Sequence, residues 1–460
     1  MYRDSGLFLL IPLFSQYMKS NSVSPARLLK TISLAAIIFL TVSGGPYGLE
    51  PLLQFAGKDG SLLLLLLVPI LWDIPTILTV LELNGMMPVN GGYYKWVERA
   101  MGKRWAFYEG WWTWLYSFTD LAIYPVLFVT YASYFFPSLM EWKTPIFLIM
   151  IWGSAGLNIL GIVPVGRASL LLGSVIIIPF IILFGTAVFS PSFHFSITTS
   201  SLNGIGFSAL GMALYTVMWN FLGWDNTTTY AGEVDKPAKS YLIATSISFV
   251  LVLVLYLATT LIAQNSGIDF ANLGDNGYPV LGSKLGGKWM SAFLSIGGMA
   301  SAIGIFSAVI LSISRIPKAM ADDAFLPKIF ARQHPRYNTP YVSIIVCAIV
   351  VSFMVLWTFK ELIVIDIILY GAGLFLEFIS LIILRIKEPE AARPFKIPLD
   401  TFMLCLLLLL PVIVYVTALT SVLFKPESDH TPAYFAIVAL LTAEVAWLIV
   451  RWSKRSSPIS

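Results

Sequence analysis

The sequence predicts an all-α integral membrane protein of about twelve transmembrane helices, and three observations predict it. Hydrophobic residues fill 57% of the 460 positions and charged residues only 12%, too little polar surface to solvate a globular protein of this size. Twelve mainly apolar runs, separated by Gly, Pro or charge, approach the about 20 residues needed to cross a hydrocarbon core about 30 Å thick. Lys and Arg gather in the short segments between alternate runs, where they orient a chain in a bilayer.

The expected spans are 31–56, 61–87, 104–135, 144–162, 168–189, 206–231, 241–263, 289–314, 340–358, 362–384, 402–424 and 431–451. With the N-terminus placed inside, 23 of the 29 Lys and Arg fall on the inner side, against six outside: Lys58, Lys143, Lys284, Lys288, Lys360 and Lys425. This asymmetry puts both termini in the cytoplasm, and an omitted or invented span would scramble it. The segment from Gly6 to Phe14 is apolar, but Pro12 interrupts it and no small-residue cleavage site follows. It reads as an interfacial or disordered lead, not a signal peptide.

Span one contains Ser43-Gly44-Gly45-Pro46-Tyr47-Gly48. A Gly-Gly-Pro step removes a hydrogen-bond donor and adds backbone freedom, so the helix should break there. Lipid cannot satisfy the freed N–H and C=O groups; a broken helix is expected where it lines a cavity, its half-helix ends offering partial charges to a ligand. Span six is interrupted at Trp219-Asn220-Phe221-Leu222-Gly223-Trp224-Asp225-Asn226. Five spans separate the two breaks, and an odd number reverses direction, so spans one and six become equivalent members of inverted five-helix repeats. The chain then divides into a tail at 1–30, repeats at 31–189 and 206–384, helices eleven and twelve at 402–451, and a tail at 452–460.

Asp73, Glu82, Asp120, Asp225, Asp366, Glu377 and Glu444 fall within the expected spans, whereas every Lys and Arg lies at or beyond a boundary. A carboxylate in lipid is costly, so these stay protonated, face water or meet a cation supplied from elsewhere, a ligand or a proton. Asp73, Asp120 and Asp225 are nearest mid-span and Asp225 adjoins the second break. Glu82 and Glu377 lie about two turns from Pro88 and Arg385, within reach of water or a snorkelling base. Asp366 is expected near the outer end and Glu444 in a helix contact or at the interface. Trp111, Trp112, Trp114, Tyr116 and Tyr124 are expected to pack or anchor, while Trp219, placed at a break, can close over a ligand or stack on a cation.

Other function classes find no support. Cys347 and Cys405, the two cysteines, sit in apolar runs as expected buried thiols, and the three histidines are far apart, so neither a metal site nor a disulfide framework is expected. A net charge of +4 spread over short loops does not imply nucleic acid. A channel would show a repeated filter or ring of charge, and an enzyme a nucleophile, a His pair or a phosphate loop. Neither pattern occurs.

From about Ser33 to Pro398 the chain resembles the amino acid-polyamine-organocation superfamily, within it the polyamine-uptake and L-type amino acid permease branch. The resemblance rests on Val42-Ser43-Gly44-Gly45-Pro46-Tyr47-Gly48, Pro88-Val89-Asn90-Gly91-Gly92-Tyr93, Asp120 with Tyr124-Pro125-Val126-Leu127-Phe128, and Trp219-Asn220 with Trp224-Asp225. Ala231-Gly232-Glu233-Val234-Asp235-Lys236-Pro237, Leu369-Tyr370-Gly371, Leu376-Glu377-Phe378-Ile379 and Arg393-Pro394-Phe395-Lys396-Ile397-Pro398 complete it. It implies a LeuT-like fold and a secondary transporter working by alternating access about the broken first and sixth helices, for a polyamine, another organic cation or an amino acid.

The site residues so implied are Ser43, Gly44, Gly45, Tyr47, Asp120, Tyr124, Trp219 as gating aromatic, Asn220, Trp224 and Asp225. Asp73, Glu82 and Glu377 are candidates to carry a coupling proton. The acidic residue that polyamine-type members tend to have at the place of Thr76 is displaced to Asp73, and the span-five Lys of some proton-coupled relatives is missing. Coupling through such a Lys is thereby excluded, and a carboxylate-borne proton is expected, with sodium open. The expected partners are a small-molecule substrate and the bilayer of a cell membrane, with no cofactor, metal or nucleic acid. A sodium-coupled or exchange-type neutral amino acid permease and, in a different class, a channel or receptor are the alternatives.

Overall fold

The computed structural model describes residues 28–189, 196, 202, 204–269, 277–355, 357–423 and 430–456. The expected lead at Gly6 to Phe14 lies outside the described residues. Within them the chain is helical, and its extended pairings are two isolated bridges, Leu29 with Val234 and Asn90 with Tyr230.

Helix α1 (Thr31–Val42) ends where Gly44 and Gly45 take φ of 60° and 95°. After this break α2 (Glu50–Val68) bends at Gly57, so 50–56 finishes the first expected span and the rest opens the second. Pro75 lacks the N–H that a regular helix would aim at the preceding turn, and the chain widens into a π-turn at Pro69–Asp73 before α3 (Ile74–Met86). The short amphipathic α4 (Gly92–Met101) was not among the expected spans. Then follow α5 (Lys103–Ala132), α6 (Lys143–Ile159), α7 (Ile162–Val188) and α8 (Phe207–Asn220). Within the expected sixth span the helix ends at Asn220, inside the interruption expected at 219–226, and the rest of that span runs as 3-10 turns at Asn226–Thr229 and Ala231–Glu233.

The remaining helices are α9 (Pro237–Asn265), α10 (Gly277–Ile313, bent at Gly287), α11 (Arg315–Asp322), α12 (Tyr341–Met354), α13 (Phe359–Lys387), α14 (Thr401–Leu423) and α15 (Thr431–Ser456). A capping box of Thr358 and Glu361 starts α13. Eight helical stretches among the described residues are long and apolar enough to cross a membrane, and α1 and α12 are shorter apolar helices. Helices α1 and α8 are short because each is one side of an interrupted span.

At the centre α5 packs against α10, with α13 on α5 and α7 on α10; α1 lies against α9 and α2 against α8. Small residues allow the close approach: a Cβ on Gly298 would come within 2.5 Å of the Tyr131 ring, and one on Gly304 within 2.9 Å of Leu40. The exterior is apolar, with Ile149, Leu171, Phe353 and Leu441 among many exposed large side chains, a surface suited to lipid. Cys405 belongs to this exterior on α14 and is exposed, unlike the buried Cys347, so the expectation of two buried thiols fails for one of them.

Two carboxylates of the expected spans meet basic side chains, a base at Glu82 and a helix contact at Glu444 being among the outcomes expected for them. Glu82 receives two hydrogen bonds of 2.6 Å from Arg385 and one of 2.8 Å from the Ile397 N–H, with Arg393 at 3.2 Å. Arg385 reaches it because α3, which carries Glu82, packs against α13, whose last turn carries Arg385. Glu444 pairs with Arg104 at 2.7 Å. Further ion pairs join the same region: Arg315 with Glu233, Lys95 with Asp323 and Arg99 with Glu388.

Candidate functional site

The two breaks meet. Tyr256 of α9 donates to Ser43 Oγ at 2.7 Å and to the Asn220 carbonyl at 2.9 Å, while Asn220 Nδ2 donates to the Gly48 carbonyl at 3.2 Å. Beside this stitch lies a small internal cavity. Thr41, Val42, Ser43, Trp219, Asn220 and Leu222 bring it the ends of α1 and α8, and Tyr116, Asp120 and Tyr124 of α5 form another wall. Asn226, Ile305, Asp366 and Tyr370 complete it, and no Lys, Arg or His lines it.

The cavity is rich in acceptors. Helices α1 and α8 both end here, and a helix C-terminus presents unpaired carbonyls equivalent to roughly half a negative charge. Asp120 accepts a 2.5 Å hydrogen bond from the Tyr124 hydroxyl, and the Trp219 indole is within hydrogen-bonding reach of the same carboxylate. Tyr124 and Trp219 stack with centroids 6.3 Å apart. Near Asp120, the carboxylate of Asp366 is fully buried and neither of its oxygens has a hydrogen-bond partner among the described residues. Buried acceptors left in this way are costly unless a donor arrives from outside.

Backbone donors in the first break are largely engaged. The N–H groups of Ser43 and Gly44 both reach the Phe39 carbonyl, Gly45 N–H reaches Ser43 Oγ, and Gly48 N–H reaches Glu50 Oε2. Gly44 and Gly45 do not present open space to a ligand either. A Cβ on Gly44 would lie 2.4 Å from Ile305, and one on Gly45 2.7 Å from Ile176. Their positive φ and the packing of α7 and α10 account for glycine at both positions.

Of the sequence-based candidates, Ser43, Asp120, Tyr124, Trp219 and Asn220 line the cavity together. Tyr47 lies apart in an aromatic cluster with Tyr131, Phe180 and Tyr278. Trp224 turns away to donate at 3.1 Å to Asp73, whose second oxygen has no partner among the described residues. Asp225 accepts from Tyr370 at 2.6 Å and faces the Glu377 carboxyl.

Sequence reasoning placed Asp366 near a span end and passed over Glu50 and Glu109. Glu109 is buried near Asp225 and takes a 3.3 Å hydrogen bond from Thr113. A helical signal was present, since Glu109, Thr113, Tyr116, Asp120 and Tyr124 recur every three or four residues and share one face of α5. Asp366, Tyr370 and Glu377 likewise share one face of α13 at i, i+4 and i+11, whereas no comparable periodicity announces Glu50.

The model of the amino acid permease family matches residues 29–442. The chain belongs to that family. This permease is therefore a multi-pass membrane transporter and not an enzyme. It is 33% identical over 419 residues to a probable polyamine transporter of Arabidopsis thaliana, covering 89% of this chain and 85% of the relative. It is 33% identical over 383 residues to polyamine transporter PUT1 of Oryza sativa subsp. japonica, covering 82% and 71%. The serine/threonine exchanger SteT of Bacillus subtilis is more distant, 24% identical over 393 residues, covering 80% of this permease and 85% of SteT.

Proposed function

We propose that this permease carries a di- or polyamine across the membrane by alternating access, coupled to protons. The observation that carries the reading is the cavity between the two breaks, where Asp120 and the unpartnered Asp366 face a space lined by no basic side chain. An ammonium group supplies the donors and charge that these carboxylates lack, and Tyr124 and Trp219 offer ring faces to an alkylammonium chain. An amino acid would also need donors for its carboxylate, and those of the first break are committed within the chain. The polyamine-transporter relatives point the same way.

The finer architecture belongs to the same proposal: twelve spans, both termini cytoplasmic, and inverted repeats at 31–189 and 206–384. Packing supports the repeat. Shifting by five spans exchanges the pair α5 with α13 for α10 with α7, and the pair α1 with α9 for α8 with α2, and all four pairs are in contact. Asp225 and Glu377, placed side by side next to the cavity residue Tyr370, are the preferred proton carriers; Asp73 is the other candidate, and Glu82 is set aside because Arg385 and Arg393 hold it.

Purified protein in proteoliposomes tests the function. Labelled putrescine or spermidine should accumulate saturably under an inward proton gradient, and excess unlabelled diamine should compete. Accumulation of neutral amino acids with no diamine uptake would reject the amine reading in favour of an amino acid permease.

A further inference from the structure

Glu50 is a buried carboxylate that the cavity itself does not contain. It opens α2, is 1% exposed, and accepts the Gly48 N–H at 2.9 Å on one oxygen and the Tyr131 hydroxyl at 2.7 Å on the other. Both oxygens act as acceptors, the pattern of an ionised carboxylate. Its surroundings are closed: Tyr47 packs against Tyr131 and Tyr278 with centroids 5.0 Å and 6.3 Å away, and Phe180 packs on Tyr47 at 5.3 Å.

Two connections tie Glu50 to the cavity. The Gly48 that donates to Glu50 also accepts from Asn220, a lining residue. Tyr131 follows Asp120 and Tyr124 on one face of α5, about 10 Å beyond Tyr124 at 1.5 Å per residue. Glu50 thus takes donors at the far side of the break and sets a negative charge one layer beyond Asp120 and Asp366.

We infer that Glu50 is a specificity residue: its fixed carboxylate takes the donors that a substrate carboxylate would need and repels a second anion, so the site accepts an amine and rejects the amino acid with the same cationic chain. This rests on the proposed amine reading. At an effective interior dielectric of about 20, a unit charge at a separation on the order of 10 Å, the rise from Tyr124 to the Tyr131 that holds Glu50, shifts affinity by about tenfold, enough to discriminate two ligands that differ by one carboxylate.

Cadaverine and lysine, and putrescine and ornithine, are two such pairs. Competition binding to the purified full-length protein gives the amine-to-amino-acid affinity ratio for each. Wild type should favour the amine, and Glu50→Gln, nearly equal in volume but uncharged, should narrow the ratio by about fivefold to tenfold, mainly by tighter binding of lysine and ornithine. Glu50→Asp should keep the preference.

A merely structural Glu50 would weaken both members of a pair together and leave the ratio unchanged, which overturns the inference. If Glu50→Gln does not yield folded protein, Tyr131→Phe carries the test: removing a donor that favours the charged carboxylate should narrow the ratio, and an unchanged or widened ratio overturns the inference. Should wild type bind neither diamine, the amine reading itself fails, a result distinct from diamine binding with a ratio insensitive to Glu50.

Discussion

Asp366 carries both its oxygens into the cavity wall without a hydrogen-bond partner among the described residues, an arrangement that weakens a resting protein and strengthens a ligand complex. Asp366→Asn should therefore leave the melting temperature in detergent unchanged or raised while diamine binding falls by at least about tenfold, since a charge-assisted hydrogen bond contributes roughly 1.5–3 kcal/mol. Retained affinity would remove Asp366 from the site. Gly44 behaves oppositely. With φ at 60° and a Cβ placed 2.4 Å from Ile305 and 2.7 Å from Ser301, Gly44→Ala combines backbone strain with overpacking, about 2–5 kcal/mol in all. The yield of folded protein should drop, and adding Ile305→Ala should restore part of it. A Gly44→Ala variant that melts like wild type would contradict this packing account.

Among the elements, the broken helices and the ion-paired ends divide the work. Breaks in α1 and α8 place acceptors at the cavity, whereas Glu82 ties α3 to α13 and to the segment that follows α13 through Arg385, Arg393 and the Ile397 N–H. Both guanidinium groups are nearly buried, so Glu82→Gln leaves them without an anion and should destabilise the fold by about 3–5 kcal/mol. The fall should appear in thermal melts with or without ligand. Normal stability together with loss of proton-driven uptake would instead return Glu82 to the coupling candidates.

For the whole molecule, the distribution of basic residues supports the proposed orientation, and chemical labelling can test it. In a background with Cys347 and Cys405 replaced by Ser, a Cys at the exposed Lys284 position should react with an impermeant maleimide added outside intact cells, and one at the exposed Lys387 position only after permeabilisation. The reverse pattern would invert the proposed topology.

Apolar runs, Gly-Pro steps and the placement of Lys and Arg were legible in the sequence because each acts locally: length sets whether a helix can span, and a missing donor sets where it breaks. Thus the breaks at Ser43-Gly44-Gly45-Pro46 and after Asn220 were expected from residues alone, and Asp120, Tyr124 and Trp219 were recognised beside them. Sequence position did not show that Asp366 enters the cavity, that Trp224 turns to Asp73, or that Glu82 meets two arginines from a distant segment. Those outcomes depend on which face of each helix packs against which neighbour. Only the tertiary structure decides whether a buried carboxylate finds a cation within the chain, as Glu82 does, or faces a cavity without one, as Asp366 does.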